Sequence, residues 1–460
     1  MMRMLPLAAL AFVLGLAPAA PAATLTCTAT STTLEGLAAC VVAAIPRSGQ
    51  GWVPPDAAAL DDWRAVAGAM LAGRCDDIEL PASLAGFYSV GSFTDASNGN
   101  AYCVLMEVED ANGNGRVDRA WGTFITNPAA RRELHIHISH PLADAVTETQ
   151  GIEVFKAVDA RSFLLSGTHR NASAVAAVCQ GENETDVAHN AATAYHATVE
   201  ALAAAQQDAV RDWTTIQFHG MANTTCPGTD AYMTYGLAAP DGIPAAGDKV
   251  LALRSALLAD HPGWTITVPG DLPTCTLNAT TNIQGRLLNG VPAADACSTL
   301  GSTYTERFIH IEQKRCRGGT TTSCAANGPD AVRSASNWAA ALKSTWPALV
   351  AIDVKPGEGD AAINPRARGR IPVAILTTDA FDAAGVDRST IRFGATGTEA
   401  APVQASDEDV DGDGRPDLLL HFDAGAAGFS CGGTTARLTA RTAGGEALEG
   451  FERSRTIGCN

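Results

Sequence analysis

Residues 134–170 impose the strongest constraint on the fold. Leu134 to Ile138 alternates apolar and polar side chains, the pattern of a strand, and stops at Ser139-His140-Pro141. Pro141 has no N–H, so a sheet ladder cannot run through it. A helical run, Asp144 to Ala157, leads to a second apolar strand, Ser162 to Leu165, which ends at Thr168-His169-Arg170. Two strands that each finish in a histidine-bearing turn place polar groups at one sheet edge, where open α/β sheets bind ligands.

The pattern continues downstream. Trp213 to Phe218 ends at His219-Gly220, and the strand Phe308 to Ile311 is followed by Glu312. Gly220 allows close approach of the backbone to a bound group. Helical stretches separate the strands: one begins within Cys179 to Leu202, and the others are Leu251 to Leu258 and Ala331 to Thr345. This order predicts an α/β fold, a mostly parallel sheet with helices on both faces. His189 and His196 are seven apart, the spacing of one helical face.

Upstream, Met1 to Ala23 has the form of a secretory signal: Arg3, a thirteen-residue apolar segment from Leu5 to Ala17, and a small-x-small site at Ala20-Pro21-Ala22. No later run approaches membrane-spanning length. All twelve cysteines follow that segment, an even number, as expected for disulfides in a secreted or periplasmic chain. Cys431 and Cys459 can close the C-terminal section on itself. The other ten lie earlier, and spacing does not assign their pairing. A net charge of −17 argues against a nucleic acid or anionic-membrane partner. Ser31 to Ile45 and Asp56 to Leu71 predict helices in a disulfide-held section, 24–100, that completes the region 101–347.

Two stretches space oxygen ligands on alternate residues around a glycine, as calcium loops do. In Asp110 to Asp118 the spacing also fits an Asn-Gly hairpin turn joining Tyr102–Glu107 to Ala120–Ile125, which is the expectation for this stretch. In the second, Asp409, Asp411 and Asp413 converge, Arg415 offers a carbonyl, and Asp417 takes the ninth position, so Ca²⁺ is expected. This loop lies in section 348–460, where short β runs broken by Gly, Pro and Asp predict an all-β sandwich.

The strand-end residues carry a resemblance. SHP with a downstream glutamate, THR, HG and Glu312 resemble the N-formylglutamate amidohydrolases and, more distantly, the zinc carboxypeptidase-like amidohydrolases. The resemblance spans about residues 100–347. It implies one Zn²⁺ held by His140, His219 and Glu148, with Asp144 as the alternative carboxylate. It further implies proton handling by Glu312 and a substrate carboxylate received by Arg170, with His169 beside it. Peptides, N-acyl amino acids and poly-γ-glutamate are the implied substrates. IDVKPG, NPRARGRIPVAIL, IRFG and DVDGDGRPDLLLHF resemble an accessory β-domain of secreted bacterial proteins, suited to surface or polymer contact. The competing readings are a non-catalytic exported binding protein and a metal-dependent esterase. A serine triad is disfavoured because no G-x-S-x-G stands at a suitable turn.

Overall fold

The computed structural model describes residues 23–207, 212–319, 324–358 and 361–459. The expected signal segment lies outside them, except for Ala23. Strands are numbered here within the large sheet: β1 (Tyr88–Thr94), β2 (Ala101–Glu107), β3 (Thr123–Thr126), β4 (Arg132–Ile138), β5 (Ala160–Leu165), β6 (Thr214–Gly220), β7 (Ala231–Thr234), β8 (Ile266–Thr267) and β9 (Phe308–Gln313). The spatial order is β8-β7-β9-β6-β4-β5-β3-β2-β1.

The sheet is mixed, which corrects the expectation of a mostly parallel one. β5, β4, β6 and β9 are mutually parallel, but β3, β2 and β1 extend the sheet antiparallel, as does β7 beside β9. The flanking strands follow one another through connections without a helix, which suits antiparallel pairing. Residues 24–100 supply β1 and so belong to this sheet.

Helices α1 (Leu34–Ala44), α3 (Thr147–Ala157), α5 (Lys249–Asp260) and α7 (Ala335–Thr345) cover one face, with Leu34, Phe155, Leu253 and Trp338 in one core. Helices α2 (Ala57–Leu71), α4 (Ala194–Ala205) and α6 (Ile283–Leu288) cover the other, around Trp63, Tyr195 and Leu288. Asp56, placed after Pro54-Pro55, caps α2 by accepting the Ala59 N–H at 2.8 Å. Because both faces are covered, the polar positions of β4 are buried as well. Leu134, Ile136 and Ile138 face the α3 side, whereas His135 meets Trp213 and His137 meets Tyr195. Burial lowers the His135 pKa to about 4, so these two histidines are neutral core groups.

Residues 348–459 form two further sheets around a separate apolar core that includes Val373, Phe393, Leu420 and Leu438. Arg131 and Arg132 join the two regions through Glu446, at 3.0 and 2.6 Å. The cysteines pair as 27–40, 75–103, 179–297, 226–275, 316–324 and 431–459. The last closes the C-terminal section on itself, and the other five stay within the first. No helix among the described residues is long and apolar enough to cross a membrane.

Candidate metal centre

Register brings the distant residues together. Glu312 on β9 is paired with His219 on β6, and His137 on β4 with Gln217 on β6. The C-terminal ends of β4, β6 and β9 therefore open into one cleft of about 350 Å³, lined by His140, Asp144, Arg170, His219, His310 and Glu312 among others.

Three donor atoms meet at its floor. His140 Nδ1 lies 3.1 Å from His219 Nδ1 and 3.3 Å from Asp144 Oδ2, and His219 Nδ1 lies 3.2 Å from Asp144 Oδ2. Donors about 2.0–2.1 Å from a tetrahedral zinc are about 3.3 Å from one another. The three atoms thus form one face of such a tetrahedron. The far nitrogens are also held. His140 Nε2 faces Asp186 Oδ1 at 2.9 Å, and His219 Nε2 faces Gln217 Oε1 at 2.9 Å and Ser139 Oγ at 3.1 Å. An acceptor on each Nε2 keeps the proton there and leaves Nδ1 free as a metal ligand. Gln217 is fixed in turn by Asn282, whose Nδ2 donates to Gln217 Oε1 at 2.6 Å while its Oδ1 caps α6. The donor set fits a metal, and the group His140, Asp144 and His219 could hold one.

The carboxylate at this point is Asp144, not Glu148. The predicted helix from Asp144 begins only at Thr147. The preceding segment is a turn in which the Asp144 N–H donates to the His140 carbonyl, carrying the carboxylate back over His140. Leu142 (φ 66°) and Val146 (φ 68°) are left-handed here. A β-branched residue in that region costs ~1–3 kcal/mol, strain of the kind kept at functional sites. Glu148 sits in the first turn of α3 and lines a different depression with Glu35 and Arg47.

Burial pulls the His140 pKa down, but Asp186 and Asp144 outweigh it and raise it to about 9. Asp144 is held well below the usual carboxylate range despite its burial, chiefly by His140. Burial and then Asp144 push Glu312 up to about 7. Glu312 stands 3.7 Å from His310 Nε2, and His219, His310 and Glu312 form a second group of possible ligands. Arg170 ion-pairs with Asp186 and its Nη1 reaches to 3.4 Å from His140 Nδ1. His169 turns aside: its Nδ1 accepts the Asn171 N–H at 3.0 Å, and it is not among the residues lining the cleft. His189 precedes α4 instead of sharing a helical face with His196; it also lines the cleft, its Nδ1 2.7 Å from Gln180 Oε1. Gly220 lines the cleft and is approached by the Arg333 guanidinium: a Cβ there would overlap it. Asp186 and Arg333 carried no assignable signal in the sequence. Gln217 did carry one, since it stands two residues before His219 and so on the same strand face.

The C-terminal acidic loop is exposed. Asp409, Asp411 and Asp413 form a possible cation group. Arg415 turns its side chain onto Asp413, with Nε at 2.7 Å. Asp417 is buried, and its carboxylate accepts N–H bonds from Thr377 and Val410 at 2.8 and 2.9 Å, so it closes the loop. Residues 110–118 repeat this bonding. Asp110 accepts from Gly115 N–H as Asp409 does from Gly414, and Asp118 accepts from Ala111 as Asp417 does from Val410. The strands on either side, β2 and β3, do pair antiparallel.

No protein-family model matches the chain, and no curated protein does. A solved gene product of Agrobacterium tumefaciens is 13% identical over 40% of this chain and 81% of its own, with a TM-score of 0.24, and carries no argument.

Proposed function

We propose that the chain is an exported zinc-dependent amidohydrolase or peptidase acting on a carboxylate-bearing substrate. The observation that carries the reading is the tetrahedral face of His140 Nδ1, Asp144 Oδ2 and His219 Nδ1, with Glu312 in the same cleft. His140, Asp144 and His219 would hold the ion, which supplies Lewis acidity toward a carbonyl and lowers the pKa of water. Glu312, raised to about 7 by burial and Asp144, takes a proton from the attacking water and returns it to the leaving nitrogen. Arg170 is held on one side by Asp186 and lines the cleft; it offers a cation to a substrate carboxylate. Six disulfides support export.

The two C-terminal sheets are read as the faces of a sandwich. Asp409, Asp411 and Asp413, with the Arg415 carbonyl, would take Ca²⁺, and Asp417 shapes their loop. That region is assigned surface or polymer contact.

The test is elemental analysis after dialysis, with turnover measured on N-acyl amino acids, dipeptides and poly-γ-glutamate. Near-stoichiometric zinc and turnover lost on chelation are expected. A chain without zinc that cleaves none of these, with or without added metal, removes the reading.

A further inference from the structure

The donor atoms and Glu312 sit at, or just beyond, the ends of three different strands, so their spacing depends on what joins those ends. Arg333, just before α7, joins all three. Its Nη1 donates to the Ala145 carbonyl at 3.0 Å, and its Nη2 to the Met221 carbonyl at 3.0 Å and the Gln313 carbonyl at 2.8 Å. Its Nε donates to Gln313 as well, at 3.1 Å. Ala145 follows Asp144 directly, Gln313 follows Glu312 directly, and Met221 stands two residues after His219.

The guanidinium rests against Gly220, where a Cβ would overlap it. Only a residue without a side chain allows the cation this close to the strand carrying His219. Asp144 and Glu312 both act on its charge. A neighbouring amide pair, Gln150 with Gln313 at 2.8 and 3.0 Å, ties α3 to β9, and Gln313 Nε2 also donates to the His219 carbonyl at 3.4 Å. The geometry points to Arg333 as the positioning residue of the metal centre: one planar cation sets the separation of three strand ends, and through them the separation of His140, Asp144, His219 and Glu312. This rests on the zinc reading above. Arginine suits the role because its donors have fixed directions, whereas lysine is a point charge on a flexible stem.

The experiment uses the full chain and the variants R333K, R333M, G220A and G220A/R333M. Zinc affinity of the folded fraction is measured by competition with a chromophoric chelator. The visible spectrum of the cobalt-substituted protein and the melting temperature of the metal-free protein are recorded alongside. R333M and G220A should each weaken zinc binding by about 10- to 100-fold, the range for groups that orient ligands, and change the cobalt spectrum. R333K should fall between R333M and wild type. The double variant should be no worse than R333M, because both changes break one contact. Should R333M not fold, R333K and G220A carry the comparison. Lower melting temperatures with unchanged zinc affinity and cobalt spectrum would make Arg333 merely structural and overturn this inference alone. Wild type that takes up no zinc overturns the zinc reading and this inference together.

Discussion

The His140–Asp144–His219 group and the Asp409–Asp417 loop are two opposite ways to gather cation ligands. The first draws buried donors from the turn after β4 and the end of β6, His140 and His219 being 79 residues apart, and each imidazole is held from behind by another side chain. The second is nine consecutive residues, mostly exposed with Asp417 buried, and shaped by side chains accepting from their own backbone. The buried group depends on the packing of the whole sheet. The loop depends on little beyond itself. A buried group left without its partner is costly, so damage to the first site should spread, while damage to the second should stay local.

The sharpest break is ligand removal. H140A or H219A should lose zinc and turnover together, since ligand loss and rate loss are one event. D144N should weaken zinc severely and E148Q should leave it bound, whereas D411N should not alter zinc content. Elemental analysis of the five variants decides it, and zinc retained by H219A would dissolve the contrast. Next is E312Q, which should keep zinc and the fold while kcat falls about 10²- to 10⁴-fold. Full turnover in E312Q would place proton transfer elsewhere.

The regions should also differ in response to pH. In the metal-free protein Asp186 and Asp144 raise the His140 pKa to about 9, above the ordinary histidine value of about 6.5. The stability this adds is fully present below about pH 6.5 and is lost as pH rises toward 9. Melting of the metal-free protein between pH 6 and 9 should show that loss, and H140Q should flatten it. An equal slope in H140Q would assign the loss to other groups. The smallest effect belongs to the loop. Saturating Ca²⁺ at a hundred times its dissociation constant adds about 2.7 kcal/mol to the form that binds it. Withdrawing calcium while zinc is kept supplied should therefore lower the melting of the C-terminal region by a few degrees and leave turnover untouched. D411N should remove that calcium response, and a calcium response undiminished in D411N would exclude this loop as its source.

The local features were legible in the sequence because their causes are local. Strand alternation at Leu134 to Ile138, the stop at Pro141, the Asp409 spacing and the confinement of Cys431 and Cys459 to one section all follow from neighbouring residues. The strand ends were legible too, and with them His140, His219 and Glu312 as cleft residues. Tertiary structure decided the rest. Asp144 stands with the histidines in place of Glu148 because α3 starts at Thr147, after a left-handed turn that the composition of 140–146 does not announce. Asp186 and Arg333, neither of them on a strand, reach the site only through tertiary packing. Pairing of β3, β2 and β1 made the sheet mixed. Sequence specifies which groups stand at the ends of strands, but which of them meet depends on strand order and register, and those depend on how the two apolar cores pack on either face.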